Sequence, residues 1–101
     1  VTGAKRTSAA PAVPTVAESG VPGFEVSNWF GVSAPAKTPN EILARFHAEI
    51  ARALKLPDVR AGLVKSGADP SDTTIEQYNA FIQSEFAKWS KVIKVAGIKG
   101  E

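Results

Sequence analysis

The sequence predicts an α/β chain with one or two strands and three main helices. Residues 24–35 alternate apolar side chains with small or polar ones, at the period of two that is typical of a strand. Gly23 and Pro35 punctuate the two ends of this stretch. Three later stretches carry apolar residues three and four positions apart, which is the spacing of amphipathic helices. All of them lie within 101 residues, which correspond to one domain at most.

The predicted central strand, residues 24–35, has two unlike faces. Trp29 is the one large side chain on an otherwise small or polar face. The opposite face carries an apolar row, which we expect to meet a core: Phe24, Val26, Phe30, Val32 and Ala34. Each buried backbone N–H and C=O group of a strand requires a partner, and the chain offers only residues 1–3, the predicted end of a second strand. We therefore expect residues 24–35 to pair with another chain or with polypeptide upstream of Val1.

Residues 1–23 are predicted to contain a strand end, a surface loop and one helical turn. Thr15 and Glu18 have the three-residue spacing of a capping box, in which each side chain bonds the other residue's backbone N–H. Gly20 follows as the expected stop.

The helical part is expected to span residues 38–98. The first helix is predicted to begin with Thr38 as its N-cap and Glu41 as its capping-box partner, and to end at residues 55–57. A shorter helix is predicted over residues 58–65. The apolar stripe of the first helix consists of Ile42, Leu43, Phe46, Ile50 and Leu54.

The last helix is predicted to have Thr73 as its N-cap, Glu76 as its capping-box partner and Gly97 as its stop. Its apolar stripe is the longest in the chain, and its spacing predicts that Trp89 belongs to the core. The stripe consists of Ile75, Tyr78, Ile82, Phe86, Trp89 and Ile93.

Composition excludes several classes of protein. A net charge of +2, with basic and acidic residues interspersed, argues against a nucleic-acid partner. The absence of cysteine excludes disulfides and thiolate metal sites. No apolar run approaches the length of a membrane span. Since methionine and a signal-peptide pattern are both missing, we expect a processed form or a piece of a longer protein.

No catalytic constellation is visible, so we expect no enzymatic activity, no cofactor and no metal. His47 is the single histidine, and we expect it at the surface or boundary, away from the apolar row. No serine lies in a nucleophile-elbow sequence. Trp29 either packs against a covering helix or lines a cleft. Arg6, at a predicted strand end, is either a surface residue or an anion-binding one.

Several collinear stretches together resemble the substrate-binding proteins of tripartite tricarboxylate transporters, the TctC or Bug family. They begin with PTVAESGVPGF at residues 14–24, WFG at 29–31 and AP at 34–35. They continue with TP at 38–39, LPDVR at 56–60 and GA at 67–68, and end with Glu85, Trp89, VI at 92–93 and AGI at 96–98. The resemblance covers nearly the whole chain.

This resemblance implies a type II periplasmic-binding-protein-like fold in which two α/β domains close over a small carboxylate. Residues 1–101 would be the C-terminal third of such a periplasmic receptor, whose partners are the carboxylate ligand and the membrane subunits of the transporter. The main ligand-binding loops would lie upstream. Arg6, Trp29 and Phe30 are the positions implied to lie near the cleft or hinge and to bind ligand. A small helical interaction or dimerisation module without ligand binding is the alternative.

Overall fold

The computed structural model describes residues 1–100, which divide into two compact units, residues 1–71 and a unit that begins at Asp72. The described part of the chain contains three helices: α1 (Asn40–Leu54), α2 (Pro57–Lys65) and α3 (Ile75–Ala96). The first unit contains α1 and α2 together with the turns and irregular segments of residues 1–39, and the second contains α3. The three helices predicted from apolar periodicity are therefore confirmed, with boundaries within about two residues.

The start of α1 differs from the prediction. The capping box between Thr38 and Glu41 is wrong: Pro39 is the N-cap residue, and no side chain caps the helix. The Thr38 hydroxyl instead donates to the carbonyl of Pro35 at 2.7 Å, in the preceding turn. Glu41 still lies in the first turn, where its charge complements the positive end of the helix dipole.

The start of α3 is a capping box one residue later than predicted. Thr74 Oγ1 accepts from the N–H of Gln77 at 3.0 Å, and Gln77 Oε1 accepts from the N–H of Thr74 at 2.9 Å. The predicted pair of Thr73 and Glu76 has the same three-residue spacing, so spacing alone does not select between the two. The predicted stop is confirmed, because Gly97 ends α3 in the left-handed conformation with φ of 65°.

α1 and α2 pack against each other within the first unit. The half-buried side of α1 carries Leu43, His47, Ile50 and Leu54, and that of α2 carries Val59, Leu63 and Val64. Two predicted members of the α1 stripe lie outside this side, since Ile42 is 51% exposed and Phe46 is 63% exposed. His47 does occupy a boundary position, but on the half-buried side and not away from it as expected.

α3 carries a partly covered and an open portion of its apolar stripe. Ile75, Tyr78 and Ile82 are half-buried, whereas Phe86 is 76% exposed. The prediction that Trp89 belongs to a core is not met within residues 1–100, where this side chain is 38% exposed. Two residues of the same helix contact Trp89. Its indole N–H donates to Glu85 Oε2 at 2.9 Å, and the Lys88 ammonium lies 5.5 Å from the ring centroid.

Residues 24–35 form neither a helix nor a paired strand within the part of the chain that the structure describes. Their backbone is tied once to the start of the chain, where Val26 N–H donates to the carbonyl of Thr2 at 2.8 Å. Val26 is the half-buried side chain of the segment, while Phe30 and Val32 are exposed. The expectation that this apolar row meets a core is not met within residues 1–100, and the strand count stays a prediction.

Residues 1–100 contain no buried apolar side chain. Thr15, which is 3% exposed, is the one buried residue among them. The accessible surface is 8437 Å², compared with roughly 5,500 Å² for a folded monomeric protein of this mass. A large apolar area is thus open on α1, on α3 and on residues 24–35.

Candidate functional site

The helical turn that follows Thr15 is held by several hydrogen bonds. Thr15 Oγ1 accepts from the N–H of Glu18 at 3.1 Å, and Glu18 Oε2 accepts from the N–H of Thr15 at 2.7 Å. The carbonyl of Thr15 also accepts from both the N–H and the hydroxyl of Ser19. The predicted capping box is confirmed, and it satisfies the polar groups of Thr15, the most buried of residues 1–100.

Arg6 is held by the same turn. Its Nε donates to both carboxylate oxygens of Glu18, at 3.2 and 3.1 Å, and its Nη1 donates to the carbonyl of Pro11 at 3.2 Å. The hydrogen bond from Arg6, followed by the bond from the Thr15 backbone, lowers the pKa of Glu18 from 4.5 to about 2. The guanidinium charge is therefore balanced by a carboxylate of the chain itself, and Nη2 is the group left to face an additional anion.

A second polar cluster joins the loop to the segment after α2. Asp69 Oδ2 accepts from the Thr7 hydroxyl at 2.9 Å, and Asp69 Oδ1 accepts from the N–H of Ser8 at 3.4 Å and from the Ser8 hydroxyl. These bonds, that of the Ser8 side chain first and that of Thr7 next, hold the pKa of Asp69 below its ordinary value. Since 61 and 62 residues separate the partners, this cluster fixes non-local structure.

Trp29 and Phe30 are neighbours in the irregular segment 24–35. Trp29 is 41% exposed and Phe30 is 91% exposed. A phenylalanine this open gains almost nothing from burial within the chain, so its apolar surface is available to a ligand, to another polypeptide or to both.

The hydrogen bonds of Arg6 go to Glu18 and to the carbonyl of Pro11. They therefore do not link Arg6 with the other two predicted ligand-binding residues, Trp29 and Phe30. A shallow concavity of about 320 Å³ lies elsewhere, on the outer side of α1, and is lined by Ile42, Arg45, Phe46 and Glu49. No group of three or more potential metal ligands is gathered anywhere in residues 1–100. The hydrogen bonds of Arg6 and Asp69 hold the loop in place. The exposed ring of Phe30 can contact apolar groups of another molecule.

Sequence reasoning missed two features of this region. The ion pair of Arg6 with Glu18 joins residues twelve positions apart in a loop, where no periodic pattern brings side chains together. No local spacing in the sequence indicates the role of Asp69, because its partners Thr7 and Ser8 are remote in the chain. In contrast, the Thr15 box was found because both of its members lie within one turn.

Comparison with known proteins decides the family. The family model described as "Tripartite tricarboxylate transporter family receptor", or TctC, matches residues 1–98. The chain belongs to the TctC family. The resemblance carried by the motifs of residues 14–98 is therefore confirmed.

Individual relatives agree with this assignment. A UPF0065 protein from the tcbD-tcbE intergenic region of Pseudomonas sp. strain P51 is 40% identical over 94 residues, which are 92% of this chain and 28% of that protein. The protein BugT of Bordetella pertussis is 38% identical over 89 residues, covering 88% of this chain and 27% of its own length. The chain thus spans less than a third of these two TctC-like relatives.

A solved structure of an R. palustris protein with adipate supports the fold. It is 38% identical to this chain, with a TM-score of 0.76, over 95% of this chain and 32% of that protein. At this identity and TM-score, the fold of the TctC chain is similar to that of the matching part of the R. palustris protein. Within the described residues, no helix has the length and apolar character that crossing a membrane requires.

Proposed function

We propose that this chain is the C-terminal segment of a two-domain periplasmic receptor that binds small organic carboxylates and delivers them to a tripartite tricarboxylate-type transporter. Its role is binding and not catalysis. The observation that carries the proposal is the likeness to the R. palustris protein solved with adipate, at 38% identity and a TM-score of 0.76, within a family described as transporter receptors.

The exposed apolar surface supports a segment that folds together with more polypeptide. Two of the helices, α1 and α3, and residues 24–35 leave large apolar side chains open, including Phe46, Phe86 and Val32. The relatives extend well beyond the matched region, since this chain corresponds to 27–32% of their lengths. We propose that the remainder of the receptor covers this surface and supplies the strand that pairs with residues 24–35, or that another chain does so.

We propose Arg6, Trp29 and Phe30 as ligand-binding residues of this receptor, with the main ligand loops located in the other part of the protein. Three observations support their availability: Nη2 of Arg6 makes no hydrogen bond within residues 1–100, Trp29 is partly exposed, and Phe30 is almost fully exposed. A guanidinium suits a carboxylate head group, and the aromatic rings suit its methylene chain. The membrane subunits of the transporter are the proposed docking partner.

The function is tested by calorimetric titration of the full-length protein with adipate, with hexanoate as the matched ligand that has one carboxylate instead of two. We expect adipate or a related dicarboxylate to bind with a Kd on the order of micromolar, and hexanoate to bind at least tenfold more weakly. Absence of binding by small dicarboxylates and tricarboxylates would contradict the receptor function.

The site residues are tested by variants with matched controls. Phe30→Ala and Trp29→Ala should each weaken adipate binding by about tenfold, which corresponds to about 1.4 kcal/mol. Val32→Ala removes an exposed apolar side chain from the same segment and should change the Kd less than twofold. Equal effects of all three variants would show that the segment acts through its fold and not through these two rings.

Arg6 requires a control of its own, because its substitution also breaks the ion pair with Glu18. Arg6→Gln should weaken binding severalfold, whereas Glu18→Gln removes the same ion pair but retains the guanidinium and should leave affinity within twofold. Equal losses in both variants would assign Arg6 to the loop structure alone.

One observation favours the alternative of a helical interaction or dimerisation module. α3 presents Phe86, Trp89 and Ile93 as an exposed apolar row, which is a surface typical of partner binding. The two functions are distinguished by the same titration, because an interaction module would show no carboxylate binding at full length.

A further inference from the structure

Asp69 is the residue through which the loop after Arg6 is attached to the α1–α2 pair. It lies in the turn that follows α2, within the same compact unit as the loop. Both of its carboxylate oxygens are used: Oδ2 by the Thr7 hydroxyl, and Oδ1 by the N–H and hydroxyl of Ser8. An ionised carboxylate only accepts hydrogen bonds, so three donors on two adjacent residues match it well.

Further hydrogen bonds within residues 7–10 extend from the contact with Asp69. Thr7 Oγ1 accepts from the N–H of Ala9 at 3.3 Å while it donates to Asp69, and the carbonyl of Thr7 accepts from the N–H of Ala10 at 3.2 Å. A change at Asp69 therefore affects a turn of four residues and not one side chain. The preceding residue, Arg6, is tied to the same non-helical region by its hydrogen bonds to Glu18 and Pro11, so its position relative to α1 and α2 depends on how that region is attached.

We propose that Asp69 is a positioning residue, which holds residues 7–10 in place and thereby sets the position of the Arg6 guanidinium relative to the α1–α2 pair. Where it concerns ligand, this inference rests on the proposed receptor function. In that receptor, Asp69 preorganises a loop next to the ligand without touching the ligand itself. Preorganisation of this kind improves affinity by reducing the ordering that binding requires.

Amide hydrogen exchange in the ligand-free, full-length protein tests the positioning directly. In Asp69→Ala, we expect the amides of residues 8–10 to exchange about tenfold faster than in the unaltered protein, with the amides of α1 unchanged. Asp69→Asn retains an oxygen that accepts from the Ser8 hydroxyl. On a logarithmic scale, the exchange rates of residues 8–10 in this variant should therefore rise by no more than half as much as in Asp69→Ala. Asp72→Ala, the matched control three residues along the chain, should leave residues 8–10 as they are.

A double-mutant cycle separates attachment from general stability. Ser8→Ala should accelerate exchange at Ala9 in the unaltered protein but add less than twofold in the Asp69→Ala background, because the bond is already lost. Additive effects of the two substitutions would overturn the proposal, as would unchanged exchange at residues 8–10 in both Asp69 variants.

The consequence for ligand is read from the same variants by calorimetry with adipate. Asp69→Ala should weaken binding about threefold to tenfold while the melting temperature of the unliganded protein falls only slightly, and Asp69→Asn should recover most of the affinity. Faster exchange without any loss of affinity would overturn the link to ligand binding. If the unaltered protein binds no carboxylate, the receptor function fails, and the exchange data still decide whether Asp69 positions the loop.

Discussion

Replacement of Thr15 by valine tests whether the capping box organises the non-helical part of the chain. The two side chains have the same shape, but valine lacks the hydroxyl oxygen that accepts from the N–H of Glu18 at 3.1 Å. Because Thr15 is only 3% exposed, water does not readily replace that acceptor. The N–H of Glu18 would then remain without a partner at the start of the turn.

The expected cost can be worked from the two effects involved. Loss of an N-cap side chain typically costs about 1 kcal/mol, and leaving a shielded backbone donor unpaired costs about 1–3 kcal/mol. These values describe overlapping parts of one interaction, so we expect Thr15→Val to lower the free energy of unfolding by about 1.5 kcal/mol. Thr15→Ser is the matched control: it keeps the oxygen and loses one methyl group, at a cost of about 0.8 kcal/mol or less.

Urea unfolding of the full-length protein and both variants provides the measurement. A lower midpoint at an unchanged slope reports the change in stability, and the valine variant should lie clearly below the serine variant. A valine variant as stable as the unaltered protein, or more stable than the serine variant, would refute the reasoning that the hydroxyl and not the methyl group secures this turn.

Three further outcomes are expected. Gly97→Ala should cost about 1 kcal/mol, because an alanine at φ of 65° is strained although its Cβ meets open space; denaturation of the full-length protein measures it. Gln77→Ala should cost about 0.5–1 kcal/mol by breaking the α3 capping box, whereas the mid-helix control Gln83→Ala should cost nothing. The Glu18 carboxyl should titrate near pH 2 by NMR. Since its folded pKa lies below 4.5, its contribution to stability is present above pH 4.5 and is lost as pH falls towards 2. A Glu18 midpoint unaffected by Arg6→Gln would contradict the assigned cause.

Helices could be predicted from the sequence because their signals are local. Apolar residues three and four positions apart, Pro57 at the start of α2 and Gly97 after α3 all act within a few residues. The capping boxes show the limit of such signals. The box at Thr15 was predicted correctly. At α1, the Thr38 hydroxyl donates instead to a carbonyl of the preceding turn. At α3, the pairs Thr73–Glu76 and Thr74–Gln77 both have the three-residue spacing of a capping box, and the structure forms the second.

The strand and the site depend on partners that a local pattern does not specify. Alternation in residues 24–35 identifies a segment suited to pairing, while the ladder itself requires a second strand. Trp89 likewise carries the spacing of a core residue, but its exposure depends on what covers α3. Asp69 meets Thr7 across more than sixty positions, so only the folded chain reveals that contact.

The central claim is that the apolar surface of this chain is covered, and its residues 24–35 paired, by polypeptide beyond these 101 residues. The most direct test compares amide hydrogen exchange of residues 24–35 in the isolated 101-residue chain and in the full-length protein. We predict rapid, unprotected exchange in the isolated monomeric chain and strong protection at full length. Strong protection of this segment in an isolated monomer would contradict the claim.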